Sequence, residues 1–357
     1  MREKWDVHTH TVTSPELYAA LGRFSQYADF IRVRAHATKP CCAELVNSKG
    51  EVQRSVEENA YDGAARLKDC DAHGVTFQVL SPTPMMIPDY VDNAADAAEI
   101  CKILNDDNAA TVARNPARFT ALGALPMRHP DAAIRELERM KQLGMRGVEI
   151  NSNIDGMELD DPNLFPVFAA AAEMDMAVFI HPWGGFMAPT EERLKKRMNP
   201  DRNWRPWLIG MGMETALAFD SMRSGGVHER LPKLRVMYAH GGGSFPALLG
   251  RLGHGGWCRP DLFKEASKLS PLKTVRQCGV YVDSLVHCQW VLAMLVGLMG
   301  AERVAMGSDY PYPLGEMDPF GTAKTYPGRL IEHHPTLTDV QKERLLSGTA
   351  KEWLGYR

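Results

Sequence analysis

The residues best suited to chemistry in this chain are a His-x-His pair near its start. The pair, His8 and His10, ends a short strand-like run that begins at Trp5. Side chains two positions apart on a strand point to the same face, so both imidazoles converge on one point. Neutral imidazole is a common ligand for zinc and similar divalent metals. The spacing therefore indicates a metal site at the carboxyl end of the first strand.

The elements that must position this pair repeat along the chain as short apolar strands followed by helix-period segments. The predicted strands are 6–10, 76–81, 120–126, 147–150, 177–182, 234–240, 280–285 and 304–309, and helical patterns include 96–115, 131–143, 163–173 and 214–224. Eight strands alternating with helices predict an α/β fold, a (β/α)8 TIM barrel. An open doubly wound sheet would more often carry a Gly-rich turn where this chain has His-Thr-His.

Three more side chains stand at the ends of predicted strands: His181, His240 and Asp309. Barrel active sites form where the strands end, so these side chains should share one pocket with the first pair. Three His and one Asp suit zinc and leave room for water, whose pKa a bound metal lowers towards about 7. One of the histidines can instead be the base that takes the proton from that water.

The segment 11–62 does not fit the strand–helix repeat. It is long, contains Pro15 and Pro40, and carries several basic residues, among them Arg54. Connections of this length are usually functional or disordered. We therefore expect a single barrel domain over 1–357, with 11–62 as an insertion or lid over the barrel mouth.

Composition narrows the class of protein. The chain has 357 residues, a net charge of −3 and 45% hydrophobic residues. It has no basic stripe for nucleic acid and no apolar run of the length a membrane span needs. Its seven cysteines lack paired metal spacing, which indicates reduced thiols in a cytoplasmic protein.

With these residues in view, the sequence resembles the metal-dependent amidohydrolase superfamily, and especially its decarboxylase branch. The resemblance covers almost the whole chain outside 11–50. It is carried by segments 8–10, 74–79, 181–183, 207–211, 239–246 and 307–316. It implies that zinc, or another divalent transition metal, binds His8, His10, His181 and Asp309. It also implies that His240 is the acid/base residue beside the metal.

The resemblance also implies a substrate and a quaternary structure. Arg54 matches an arginine that binds a substrate carboxylate, and Trp207 matches a pocket wall. Arg259 matches an arginine donated across a dimer interface. Because it lies at the far end of the helix predicted after His240, it is badly placed to reach its own metal centre. These matches imply a homodimer that decarboxylates a small-molecule carboxylate without oxidation, a carboxymuconate semialdehyde or a close analogue from aromatic ring cleavage.

Three other functions remain open. The same site could serve a hydratase or hydrolase of a related dicarboxylate, a resorcylate-type aromatic acid decarboxylase, or a barrel that binds ligand without turnover. The chain also departs from the family where Gly184-Gly185 stands in place of a familiar Asp-Met pair. That departure borders the substrate site and leaves the exact substrate open.

Overall fold

The computed structural model describes residues 2–263, 266–317 and 324–356 of the chain. Its main element is a parallel sheet of eight strands, in the spatial order β1-β5-β6-β7-β8-β9-β10-β11. Those strands are β1 (Trp5–Asp6), β5 (Phe77–Leu80), β6 (Phe119–Ala124), β7 (Gly147–Asn151), β8 (Ala177–His181), β9 (Val236–Tyr238), β10 (Val280–Asp283) and β11 (Val304–Ala305). The remaining strands, β2 to β4, belong to the insertion.

The first and last strands of this sheet close it into a barrel. The Val7 N–H donates to the Met306 carbonyl at 3.0 Å, and the Asp309 N–H donates to the His8 carbonyl at 2.8 Å. A further parallel bridge joins Thr9 to Tyr310. The predicted (β/α)8 barrel is therefore confirmed.

Helices surround the barrel and follow its strands. The longer ones are α1 (Gly63–His73), α2 (Ala94–Arg114), α3 (Pro130–Gln142), α4 (Phe165–Glu173), α6 (Met211–Ser224), α9 (Phe245–Cys258), α10 (Pro271–Gln277) and α11 (Gln289–Met299). The shorter ones are α5 (Glu192–Arg197), α7 (Val227–Arg230), α8 (Ala239–Gly242), α12 (Arg329–Glu332), α13 (Asp339–Glu343) and α14 (Thr349–Trp353). No helix in the described part of the chain is long and apolar enough to cross a membrane.

The apolar strands have both faces covered, as is usual in parallel sheets. Inside the barrel, Val79, Phe179 and Met237 are fully buried and pack with Trp353. A second and larger apolar layer lies between the strands and the surrounding helices. Burying a side chain of this size contributes roughly 1.5–3 kcal/mol, so these two layers hold the strand ends in fixed positions.

The segment 11–62, which the sequence predicts to be an insertion, contains a three-stranded antiparallel sheet formed by β2 (Arg32–Ala35), β3 (Cys42–Val46) and β4 (Val52–Glu57). Phe24 and Leu45 are buried beneath it, in an apolar cluster that also includes Ile100 and Leu104 of α2. This cluster fixes the insertion against the barrel. Arg54 lies on β4, opposite Leu45.

The barrel strands end earlier than the apolar runs predict. The sixth predicted strand, 234–240, is only Val236–Tyr238 in the structure, and the eighth, 304–309, is Val304–Ala305. His240 and Asp309 follow these strands with positive φ angles of 55° and 57°. The chain therefore leaves the sheet at the positions where polar side chains turn towards the barrel mouth.

Candidate metal and active site

The imidazoles and the carboxylate predicted from the strand ends meet in one cluster. His8 Nε2 lies 3.2 Å from His10 Nε2, and His10 Nε2 lies 3.1 Å from Asp309 Oδ1. The His181 ring centroid is 4.8 Å from that of His10 and 5.1 Å from that of His240. Potential ligand atoms of His8, His181, His240 and Asp309 all lie within 4.8 Å of one another.

The hydrogen bonds of this cluster leave nitrogen lone pairs directed at its centre. The Asp283 carboxylate accepts from His8 Nδ1 at 2.7 Å, which turns His8 Nε2 towards His10 and the centre of the cluster. His181 donates from Nδ1 to the Pro182 carbonyl at 3.1 Å, and its buried Nε2 has no hydrogen-bond partner in the described chain. Unpaired nitrogens next to a carboxylate are a donor set that fits a divalent transition metal.

Charge inside the cluster separates the pKa values of its members. Burial lowers the pKa of His181 well below its usual value, and the neighbouring imidazoles lower it further. Burial also lowers the pKa of His8, but the hydrogen bond and charge of Asp283 outweigh this effect and raise it to about 9. Burial alone would raise the pKa of Asp309, yet the imidazoles around it bring it down to about 2. The site therefore offers an ionised carboxylate among imidazoles, one of which is hydrogen-bonded to a second carboxylate.

Asp283 is a site residue that the sequence reasoning missed. It lies at the end of β10 and is fully buried. Besides His8, it accepts the backbone N–H groups of His240 and Gly241, each at 2.8 Å. It therefore orients one candidate ligand and holds the chain at another. A carboxylate ending a buried apolar strand was the available signal, because it follows the same pattern as Asp309.

The glycine run after His240 allows close packing beside the cluster. Gly241 has a φ of 62°, and a Cβ there would lie 2.3 Å from Val286 Cγ1. A Cβ at Gly243 would lie 2.5 Å from the Gly212 carbonyl oxygen. Only glycine tolerates both the backbone conformation and the approach. The glycine run therefore allows the chain to turn tightly beside His240.

A cavity of about 410 Å³ opens onto the cluster. Arg54 stands over the Tyr312 ring, with its guanidinium carbon 4.5 Å from the ring centroid. The Tyr312 hydroxyl is in turn 2.8 Å from Thr83 Oγ1. The cavity is lined by His10, Gln53, Arg54, Thr83, Pro84, Met85, His181, Trp183, Trp204, Trp207, Met211, Asp309, Tyr312, Pro313 and Leu314.

Arg259 does not line this cavity. It follows the last residue of α9, is exposed, and pairs with Asp261 at 2.7 Å. The structure thus brings the predicted metal ligands, Arg54 and Trp207 together in one subunit and leaves Arg259 at a separate surface. A role for Arg259 in the site of a second copy of the chain stays a prediction.

The fold and the cluster together define a metal-dependent (β/α)8-barrel enzyme. Residues 5–356 match the family described as Amidohydrolase, so the chain belongs to the amidohydrolase family. The 2-amino-3-carboxymuconate-6-semialdehyde decarboxylase of Dictyostelium discoideum is 40% identical over 99% of this chain and 91% of its own length. The Caenorhabditis elegans protein of the same name is 29% identical over 98% of this chain and 94% of its own.

A solved structure shows the same fold. The 5-carboxyvanillate decarboxylase LigW from Sphingomonas paucimobilis superposes with a TM-score of 0.78 at 24% identity, covering 99% of both chains. The predicted family and fold are confirmed, and the full-length relatives confirm the reaction type, a non-oxidative decarboxylation.

Proposed function

We propose that this enzyme is a zinc-dependent carboxy-lyase that removes CO2 from a carboxymuconate semialdehyde or a close analogue formed by aromatic ring cleavage. The observation that carries the proposal is the single cavity that holds the His/Asp cluster, Arg54 and aromatic walls. The 40% identity to the Dictyostelium decarboxylase over nearly the whole chain supports the substrate class. A cytoplasmic location is consistent with the seven cysteines, all of which are free thiols.

In this proposal His8, His10, His181 and Asp309 hold the metal. When bound there, the ion supplies a Lewis acid that polarises the substrate and activates water. His10 is the proposed fourth ligand because its Nε2 lies 3.1 Å from Asp309 Oδ1 and 3.2 Å from His8 Nε2.

His240 is then left to move a proton. Burial lowers its pKa to about 4, with a further contribution from His8, so its imidazole is neutral near pH 7 and can accept a proton. Its Nδ1 has no hydrogen-bond partner within the described residues. His240 takes a proton from water and delivers it to the carbon that bears the leaving carboxylate. Breaking the bond between that carbon and CO2 returns the electron pair to the conjugated chain, so the reaction needs no oxidant.

Arg54 would anchor a substrate carboxylate, and the insertion 11–62 would act as the lid that presents it. Stacking on Tyr312 fixes the plane of the guanidinium and leaves its N–H edges free for bidentate pairing. Lysine keeps the charge but cannot make this paired contact.

We therefore expect Arg54→Lys to lower kcat/KM by about 10- to 100-fold, mainly through KM, because one charge-assisted hydrogen bond is lost. Arg23→Lys is the matched control, since Arg23 also stacks on an aromatic ring, that of Phe24, and makes an exposed pair with Glu99, but does not line the catalytic cavity. Steady-state kinetics on both variants give kcat and KM for this comparison. Equal losses in the two variants would show that Arg54 does not bind substrate.

The reaction itself is tested by adding purified enzyme to the freshly made ring-cleavage product of 3-hydroxyanthranilate. The absorbance of the conjugated substrate should fall, and one molecule of CO2 should be released for each substrate molecule consumed. A hydratase or hydrolase would instead give a product heavier by one water molecule and no CO2, which mass spectrometry separates from decarboxylation. That result would replace the proposed reaction with the alternative.

We also propose that two copies form a dimer in which Arg259 completes the partner's site. Large apolar side chains beside it in the chain stay exposed, at 78% for Trp257 and 63% for Leu262. Exposed apolar groups of this size are typical of an interaction surface. A two-fold axis there would offer each Arg259 to the other subunit.

Mixing two inactive variants tests this arrangement. Arg259→Ala and His240→Ala should each be nearly dead, yet an equal mixture after subunit exchange should recover about a quarter of wild-type activity. Half of the dimers are then mixed, and each mixed dimer has one intact site. Mass photometry verifies exchange between tagged subunits. A fully exchanged mixture without activity would mean that Arg259 does not act in trans.

A further inference from the structure

A second and larger cavity, of about 940 Å³, adjoins the catalytic cavity and shares Gln53, Met85 and Trp183 with it. Its other walls come from the insertion, the segments that follow β7 and β8, and α6. We call it the acidic chamber. Its position beside the active site, and its size, are those of a binding cavity for a small molecule.

The acidic chamber has a charge opposite to that of the catalytic cavity. Six carboxylates line it and, within the described part of the chain, no Lys, Arg or His does; the acidic residues are Asp29, Asp89, Asp155, Glu158, Glu191 and Glu214. Two of them already have partners at the rim. Asp155 pairs with Arg128 at 2.6 Å, and Glu191 accepts the first backbone N–H groups of α5. Asp89 accepts from Asn151 and Glu214 accepts the Phe186 N–H, and burial raises the pKa of Asp89 to about 7. With no cationic side chain among its described lining residues, the chamber is unsuited to a second carboxylate substrate.

Unsatisfied polar atoms are buried among these walls. Asp89 is 5% exposed, and while its Oδ2 accepts from Asn151 Nδ2 at 2.8 Å, its Oδ1 has no partner. Asn151 is 3% exposed, and its Oδ1 also lacks a partner, as does the hydroxyl of Tyr90. Buried polar groups in proteins nearly always have partners, so three such groups on one cavity call for a ligand. Two of the three atoms can only accept hydrogen bonds, so the ligand must bring N–H or O–H donors.

The remaining walls are apolar and aromatic, among them Ile87, Trp183 and Phe186. A bare metal ion fills only a small part of 940 Å³ and gains nothing from such walls. An organic cation uses both features, because its N–H groups pair with the carboxylate while its hydrocarbon part contacts the aromatic rings. We propose that the acidic chamber binds an organic ammonium ion, held at its charged end by Asp89, Asn151 and Tyr90.

The Gly184-Gly185 pair builds part of the chamber wall. Gly184 and Gly185 have φ angles of 75° and 45°, and a Cβ at Gly185 would lie 2.1 Å from Glu214 Oε1. This pair lets the backbone pass directly over the Glu214 carboxylate, which accepts the Phe186 N–H at 2.6 Å. Both Glu214 and Phe186 line the chamber. The two glycines therefore shape this cavity, which is distinct from the metal cluster.

The test is calorimetric titration of the whole protein with putrescine, a four-carbon diammonium ion, and with 1,4-butanediol as its neutral isostere. Putrescine should bind, and the diol should bind at least about tenfold more weakly. Asp89→Asn should lower the affinity for putrescine by about tenfold or more. Asp155→Asn, at the position paired with Arg128, should change that affinity by less than about threefold. Because an amine could also ligate the catalytic metal, metal-loaded and metal-stripped protein are compared and should bind equally.

A second pair of variants keeps the proposal testable if Asp89→Asn does not fold. Leu217 lines the chamber and is 46% exposed, so Leu217→Lys should fold and place a competing ammonium group at the mouth. Leu217→Lys should lower the affinity for putrescine by about tenfold or more, and the neutral variant Leu217→Gln should leave that affinity unchanged. Equal binding of the amine and the diol, or affinity untouched by either Asp89→Asn or Leu217→Lys, overturns the proposal. So does binding of magnesium ions in place of putrescine. None of these measurements depends on the proposed decarboxylation.

Discussion

Removal of the metal should abolish turnover, and zinc should restore it. The reaction needs an electrophile, and the catalytic cavity supplies only Arg54 among its described lining residues as a permanent positive charge. Ligand atoms of His8, His181, His240 and Asp309 lie within 4.8 Å of one another, and His10 Nε2 lies 3.1 Å from Asp309 Oδ1. We therefore expect chelation to reduce activity to background, with recovery on addition of about one equivalent of zinc per subunit. Metal analysis and the CO2 assay measure both quantities.

A ligand variant ties that result to this site. The buried Nε2 of His181 has no partner in the described chain, so His181→Ala should lower metal content as well as activity. His333→Ala is the control, because His333 is exposed and only contacts the Tyr326 hydroxyl at 2.9 Å. Full activity in rigorously metal-free protein would end the zinc proposal. Recovery with manganese but not zinc would change the metal and keep the site, since a His/Asp donor set accepts several divalent ions.

The position of the cluster could be predicted from the sequence because two features are enough to place it, the two-residue side-chain period of a strand and the strand order of a (β/α)8 barrel. Side chains two apart on a strand share a face, and strands that alternate with helices end at one side of a barrel. This rule predicted that His8, His10, His181, His240 and Asp309 share one pocket. The choice of four of them as metal ligands, with His240 as the acid/base residue, came only from the resemblance to the amidohydrolase superfamily. Arg54 could not be placed by the same rule, because it lies on a strand of the insertion whose sheet is held by an apolar cluster with α2.

The position of Asp283 at a strand end was predictable, but its contacts and the acidic chamber were not, for a different reason. Asp283 acts through three contacts, to the His8 imidazole and to the backbone N–H groups of His240 and Gly241, and those partners are far apart in the chain. The chamber is formed where the insertion, two strand-end segments and α6 pack together. Neither follows from a local pattern, since each depends on how separate elements meet.

Loss of the His240 imidazole should also have a large effect on turnover, and the backbone conformation at this position decides which substitution tests it best. This residue sits at a φ of 55°, where Asn is tolerated better than most non-glycine residues and alanine adds strain. Its backbone N–H, and not its ring, donates to Asp283. His240→Asn should therefore preserve the hydrogen bonds of Asp283 and the orientation of His8, and remove only the imidazole.

We expect His240→Asn to lose about a hundredfold or more in kcat, as for the removal of a general acid or base, with metal content and KM close to wild type. His240→Ala should lose as much activity and also melt at a lower temperature than His240→Asn, because its backbone conformation is strained. Metal analysis decides between the two roles that the cluster allows. If His240→Asn loses its metal while His10→Asn keeps it, then His240 is a ligand, and the proton must be moved by another group. If metal is retained and only turnover falls, then the imidazole acts on substrate, and His10 completes the metal site.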